Sequence, residues 1–337
     1  MKKVAIVGTG VMGTTHADAW QQTDAVIHAC ASKNDEEAKL FSEKYGARIF
    51  PDLESLLPEV DIVDICVPTH LHHKMVLKAA AAGKDILCEK PLSLLVEEGV
   101  EMIKACRDAG VKLLVGHVVR FFPEYASARD QVCAGEVGNT AVIRLSREAF
   151  QPHNAADNWY IDVDRSGGLI QDLMIHDLDY ARWVAGDVVK VYAKNLMLST
   201  DFKGPFDHAM VILTHANGTI THVEGSWAMP KPMFRTTIEI AGSAGLITYD
   251  SGSASPIQFA LHKTDDDEQS VGLPGMPMTE SPYTTQIKEF YNAIINNSDL
   301  RVTAEDGLAA VQIARAAIES AKTGKAVDLK SLEEVLA

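Results

Sequence analysis

"VAIVGTGVMGTTHADAW", Val4 to Trp20, is the stretch whose reading decides the fold. An apolar run of strand type ends at Gly8 and a helical pattern follows, so Gly8, Gly10 and Gly13 form GxGxxG between a strand and a helix. The first glycine permits the tight turn, the second lets backbone amides approach a pyrophosphate, and the third lets helix and strand pack closely. Phosphate charge would rest on the positive end of the helix, with Val11 and Met12 of the same turn against the dinucleotide. Glycines also mark ordinary turns, and what lifts this motif above a turn is its place at the head of a repeating pattern.

Outward from it, "KVAIV", "VIHACAS", "RIF", "DIVDICVP", "KDILCEK" and "KLLVGHV" alternate with helix-like "THADAWQQ", "DEEAKLFSEKYG", "LESLL", "HKMVLKAAAAG" and "VEEGVEMIKACRDAG". Near-continuous apolar strands alternating with helices predict a doubly wound parallel sheet covered on both faces, a Rossmann domain over residues 1–120. After Phe122 the texture changes to α+β. A helix at "PEYASARDQVCAG" leads to "TAVIRLSREAF", and later "VKVYAKNLM", "HAMVILTH", "TITHVEGSWA", "FRTTIEIAG", "GLITYD" and "PIQFALH" alternate in and out. These predict a large, mostly antiparallel open sheet with helices on one face, in a domain over 121–337. The polar, Pro/Gly-rich stretch from Thr264 to Thr285 reads either as a lid or as plain surface loop.

Two domains also suit the length of 337 residues, and 47% hydrophobic content suits compact cores. The net charge of −15 comes from 31 basic and 46 acidic residues with no run of Lys or Arg, so neither nucleic acid nor a membrane surface is an expected partner. The apolar run at the start breaks at Gly8, too short for a signal peptide, and no segment is long enough to span a bilayer. Five cysteines without a CxxC pair read as reduced thiols of a cytoplasmic protein.

About 20 residues past the glycines, where an acid would hold the ribose 2′-hydroxyl of NAD, the sequence has Ser32 and Lys33. A hydroxyl and a cation can hold a 2′-phosphate, so the cofactor is read as NAD(P), leaning to NADP. "DILCEKPLS" then places Glu89, Lys90 and Pro91 at a strand's carboxyl end, where ligands of such sheets bind. Pro91 admits a cis bond, and Lys90 beside a nicotinamide would suit proton exchange with a hydroxyl. Position alone leaves it equally an ordinary loop lysine.

"GGLIQDLMIHDLDYARWVAG", Gly167 to Gly186, predicts one amphipathic helix. Ile170, Leu173, Met174, Leu178, Ala181 and Val184 fall on one side, and Asp172, His176, Asp179 and Trp183 on the other. Two short acids, a histidine and a tryptophan make an unusual solvated face. Asp172 and His176 at i, i+4 could also share a metal, but no HExxH or cysteine cluster supports it, so no metal is expected.

"GTGVMG" with His16, "VPTHLHH", "GKDILCEKP", "GHVVRFFPEY" and "GGLIQDLMIHDLD" together resemble the glucose–fructose oxidoreductase, inositol dehydrogenase and MocA family of NAD(P)-dependent oxidoreductases. The resemblance implies that Lys90, Asp172 and His176 form the catalytic group, with Lys90 and His176 sharing proton transfer and Asp172 orienting substrate. It implies that Pro68, Thr69 and His72 lie against the nicotinamide half of the cofactor and that Glu89 approaches its ribose. Many members have Asn where Thr69 stands. Arg120 and Tyr125, and His153, Asn154, Trp159 and Tyr160 in "QPHNAADNWY", become candidate sugar contacts. The implied activity is hydride transfer between nicotinamide and a secondary alcohol or ketone of a sugar, anhydrosugar or cyclitol, in a homodimer or homotetramer. Two alternatives stay open: a noncatalytic cofactor or sugar sensor, and an NAD-dependent glycosidase of the same fold.

Overall fold

The computed structural model describes residues 1–152, 158–199, 202, 204–253, 257–261 and 280–337. His153, Asn154 and most of the connection from Thr264 to Thr285 lie outside them. The apolar runs of the first part become strands β1 (Lys3–Val7), β2 (Val26–Ala31), β3 (Arg48–Ile49), β4 (Ile62–Ile65), β5 (Asp85–Cys88) and β6 (Leu113–Val115). They form one sheet in the order β3-β2-β1-β4-β5-β6, parallel at every pairing. β4 and β6 are buried at every position, which is why they read as unbroken apolar runs. The order reverses between β1 and β4, and that switch point sets a crevice at the carboxyl ends of the strands.

The helices of this part are α1 (Val11–Trp20), α2 (Asp35–Tyr45), α3 (Leu53–Leu56), α4 (His72–Ala81) and α5 (Val96–Ala109). The compact unit they build is Met1–Phe121 together with Thr279–Val311. A single cut of the chain at residue 120 therefore does not describe the packing, because the chain returns. Helix α10 (Pro282–Asn296) turns Ile287, Phe290 and Ala293 inward. The rings of Phe290 and Tyr291 meet the fully buried indole of Trp20 edge-on, each with centroids 6.3 Å apart. Gly307 packs so closely on β6 that a Cβ there would lie 2.7 Å from Val115 Cγ2.

The second unit is Phe122–Met278 with Gln312–Ala337. Its strands are β7 (Thr140–Ala149), β8 (Val188–Leu196), β9 (His208–His215), β10 (Ile220–Ser226), β11 (Phe234–Gly242), β12 (Gly245–Asp250), β13 (Ile257–Leu261) and β14 (Val327–Asp328). The order is β13-β12-β11-β7-β10-β9-β8-β14, antiparallel except where β10 runs parallel to β7. Ile143, Leu145, Val211, Leu213, Val223, Ile238 and Ile240 are buried, alternating with exposed or half-buried neighbours. The helices are α6 (Pro123–Cys133), α7 (Val163–Ser166), α8 (Gly168–Asp172), α9 (Ile175–Ala185), α10 (Pro282–Asn296, in the first unit), α11 (Ala304–Thr323, in the first unit up to Val311 and in the second from Gln312) and α12 (Leu332–Leu336). Helix α9 packs against β7 and β10.

The stretch from Gly167 to Gly186 is two helices rather than one, and the predicted stripe is interrupted at Leu173 and Met174. Both Leu173 and Met174 N–H groups donate to the Leu169 carbonyl, at 3.0 and 3.1 Å, and the α-helical ladder breaks there. Met174 is seated on β10 at Gly225, where a Cβ would stand 2.3 Å from its Cγ. Among the described residues no helix is long and apolar enough to cross a membrane.

Candidate functional site

The glycine loop has the shape the motif requires. Gly8 takes φ +95°, and a Cβ on it would lie 2.4 Å from the Cys66 carbonyl oxygen. A Cβ on Gly13 would lie 1.9 Å from the Gly8 carbonyl oxygen, so helix and strand approach as only glycine allows. Gly10 caps α1 without a side-chain hydrogen bond, and the first turn holds no acid. The first amides of α1 thus have no intrahelical acceptor. Val11, the first residue of α1, is 82% exposed despite being apolar, and Met12 is half-buried.

Beside this cradle, the Thr9 and Thr69 hydroxyls are buried at the exits of β1 and β4 with no hydrogen-bond partner among the described residues. Buried hydroxyls are seldom left unpaired. With the open helix end and the glycine cradle, they fit a phosphate-bearing dinucleotide at the switch point. Ser32 and exposed Lys33 follow β2 directly, and the Ser32 hydroxyl accepts the Asn34 N–H at 3.2 Å. Glu37 also faces the cradle, its Oε2 lying 4.0 Å from where a Cβ on Gly10 would be.

Lys90 follows β5, and the Lys90–Pro91 bond is cis. His72, at the start of α4, fixes this turn: its Nδ1 stands 2.8 Å from the Pro91 carbonyl and its Nε2 2.8 Å from the Val67 carbonyl. Burial pulls its pKa below the ordinary histidine value, while the two carbonyls and Glu89 work the other way. His72 therefore lies between the exit of β4, beside Pro68, and the turn carrying Lys90, each of its nitrogens facing a backbone carbonyl and its single neutral N–H donating to one of them. Glu89 is buried, and its Oε2 accepts the Lys90 backbone N–H at 3.1 Å.

Sequence reasoning missed Asp64, the one acid inside β4. Its carboxylate accepts the Trp20 Nε1–H at 2.7 Å and faces His16 Nδ1 at 3.0 Å. An ionisable residue in a fully buried strand is the signal that could have found it. His16, Asp64 and Cys66 bring three donor atoms within 4.8 Å of one another, but hydrogen bonds among themselves and with Trp20 already join them.

In the second unit, buried Asp172 ends α8 and half-buried His176 is the second residue of α9. Next to His176, Asp177 is fully buried and receives the Arg147 guanidinium of β7 through two hydrogen bonds, 2.7 Å from Nε and 3.0 Å from Nη2. Burial opposes the charge on Arg147, but Asp177 outweighs it and holds the pKa above the usual value. The pair clamps the first turn of α9 to the sheet, and Tyr125 joins it with its hydroxyl 3.4 Å from Arg147 Nη2.

Tyr125 is accordingly a core residue, its ring against Tyr180 at 4.9 Å, and burial pushes its hydroxyl pKa up. Arg120 is buried in the first unit, where Nη1 meets Asp306 Oδ2 at 3.0 Å and the Arg301 carbonyl at 2.9 Å. Asp179 is buried, while Trp183 is half-buried under the Arg129 guanidinium at 4.7 Å. Trp159 and Tyr160 stack with centroids 4.1 Å apart, a flat aromatic pair.

A parallel sheet in this order, with an open glycine cradle at its switch point, defines a dinucleotide-binding protein of the Rossmann class. Residues 2–117 match the model of the oxidoreductase family with an NAD-binding Rossmann fold, and residues 125–248 that of the GFO/IDH/MocA C-terminal domain. An uncharacterized oxidoreductase, YrbE, of Bacillus subtilis (strain 168) is 31% identical, over 98% of this chain and 97% of its own. Inositol 2-dehydrogenase of Rhizobium meliloti (strain 1021) is 30% identical over 94% and 96%. The structure of levoglucosan dehydrogenase in complex with NADH and levoglucosan superposes with a TM-score of 0.88 at 26% identity, covering 98% of this chain and all (100%) of that one. The chain belongs to the glucose–fructose oxidoreductase, inositol dehydrogenase and MocA family, and it is an NAD-binding oxidoreductase.

Proposed function

We propose that this protein oxidises a secondary alcohol of a sugar, anhydrosugar or cyclitol, or reduces the matching ketone, with NAD(P) as cofactor. The observation that carries the reading is the glycine cradle with its open helix end and the Thr9 and Thr69 hydroxyls, which have no partner among the described residues. Relatives that act on inositol and levoglucosan support the substrate class. The bound nicotinamide would accept hydride from the substrate carbon, or return it in reduction. In oxidation His176 takes the hydroxyl proton, Lys90 binds the reacting oxygen and shares the proton transfer, and Asp172 orients the substrate and tunes both groups electrostatically. Trp159 and Tyr160 offer aromatic faces to a polyol.

Ser32 and Lys33 support NADP, since a hydroxyl and a cation suit the 2′-phosphate. Glu37 favours a second reading, NAD, because a carboxylate suits a ribose hydroxyl and repels a phosphate. Leu196, Met210 and Ile220 are exposed on the outer face of the second sheet and support a homodimer or homotetramer, which light scattering on the intact protein measures. Screening inositols, aldoses, anhydrosugars and keto-sugars with both cofactors tests the function. Net cofactor reduction by a free polyol, lost in Lys90→Ala and His176→Ala, is the expected result. Wild-type turnover in both variants would sink the proton-transfer scheme, and no turnover with any polyol would favour a sensor or a glycosidase.

A further inference from the structure

Helix α1 carries a fully buried histidine that no step above uses. His16 Nδ1 lies 3.1 and 3.0 Å from the two oxygens of Asp64, and its Nε2 lies 3.1 Å from Glu89 Oε1. Neither His16 nor Asp64 has any exposed surface, and Glu89 is 6% exposed. A neutral imidazole offers one N–H and one lone pair. Between two ionised carboxylates, one of its nitrogens would turn that lone pair towards an anion. Both contacts are attractive only if the ring holds two protons or one acid gives up its charge.

Asp64 is well supplied for the ionised form, with the Trp20 N–H on Oδ2 at 2.7 Å and the Cys66 thiol on Oδ1 at 3.3 Å. Glu89 accepts the Lys90 backbone N–H, and Gly116 leaves its carboxylate room, since a Cβ there would lie 2.7 Å from Oε1. The His16–Glu89 contact is close yet off the line of a hydrogen bond. Attraction between ions does not need that alignment.

We propose that His16 is a buried imidazolium bridging Asp64 and Glu89, and that through Glu89, which holds the Lys90 backbone N–H, it positions Lys90. The second half rests on the reading that Lys90 takes part in proton transfer; the first half does not. Burial opposes a charge on His16, but the Asp64 carboxylate outweighs it and holds the ring above the ordinary histidine range. Burial likewise raises Glu89, but His16 and then Lys90 outweigh it and hold the carboxyl low. The titratable groups around this centre are Asp64 and Cys66 from β4 and its exit, His72 from α4, and Cys88, Glu89 and Lys90 from β5 and its exit. From α10, the Tyr283 ring stands 6.2 Å from His16.

Removing the imidazolium leaves two carboxylates in one buried place, and Glu89, with fewer donors, takes a proton. The Lys90 backbone N–H then loses its ionised acceptor, and the turn that carries Lys90 is held less firmly. The experiment is nitrogen NMR of the full-length protein with labelled histidine, His16 being assigned by its loss in His16→Gln. An imidazolium signature at pH 8 is expected, while a neutral ring at pH 8 overturns the proposal. Glu89→Gln serves where His16→Gln does not fold: it keeps the shape of the side chain and should let His16 deprotonate at lower pH, and an unmoved titration overturns the bridge.

For the positioning, His16→Gln should lower kcat on the order of tenfold while the KM for the cofactor stays within about twofold. A raised cofactor KM with kcat unchanged would mark His16 as structural only and overturn the positioning role. Full turnover in Lys90→Ala would instead strike the reading of Lys90, leaving the charge of His16 to the NMR result.

Discussion

Two helices leave consecutive strands of the first sheet and start in opposite ways. Helix α2 closes its own end: Asn34 accepts the N–H groups of Glu36 and Glu37 at 3.1 and 3.2 Å, and Asp35, Glu36 and Glu37 supply negative charge in the first turn. Helix α1 does neither, having Gly10 as its cap and no acid in its first turn. Caps and first-turn acids both stabilise a helix. Their absence from α1 leaves backbone donors and positive potential for an external anion, so the less satisfied helix is the one we propose to hold the cofactor. α2 shows what the same sheet does with a helix that satisfies its own end.

The largest effect should come from blocking the approach of α1 to its strand. In Gly13→Ala the Cβ meets the Gly8 carbonyl, and we expect cofactor affinity to fall by about 100-fold or more with a stability loss of about 1–3 kcal/mol. Fluorescence titration with NADH and NADPH, alongside thermal unfolding, reads both. Gly10→Asp makes α1 resemble α2 by giving it its own acceptor and charge. Affinity should drop about tenfold, as an opposed charge at a helix end is worth roughly 1–2 kcal/mol, while the melting temperature holds or rises. Unchanged affinity would break the comparison.

Lys33→Glu should lower the ratio of kcat/KM with NADP to that with NAD by about tenfold, through repulsion of the 2′-phosphate. A ratio that does not move assigns selectivity to Glu37. The smallest effect on binding is expected from Asn34→Ala, which removes the cap of α2. It should cost about 1 kcal/mol of stability in denaturant titration and leave cofactor affinity within about twofold.

The elements of the first sheet were legible because each buried strand is a short apolar run and the glycines mark the first crossover locally. The break at Leu173 and Met174 was not, because it depends on Gly225, some fifty residues further on, which admits the Met174 side chain. Nor could spacing show that α10 belongs with the cofactor unit: its apolar face is plain, but its partner Trp20 lies at the other end of the chain. Strand β14, only two residues long, has no periodicity to read. At the candidate site, the motifs named Lys90, Asp172 and His176. They did not show that Arg120 and Tyr125 would be buried among Asp306, Arg301 and Arg147, since those partners are fixed only by the fold.

The pairing of Trp20 with Phe290 also bears on how the chain is made. A ribosome adds about 5–20 residues per second, so on the order of ten seconds separates the emergence of Phe121 from that of Phe290. Through that interval the six-stranded sheet can form while the indole of Trp20 lacks its cover. The nascent cofactor unit would present an aromatic patch to the cell and would be recognisable to a chaperone until the last third of the chain arrives.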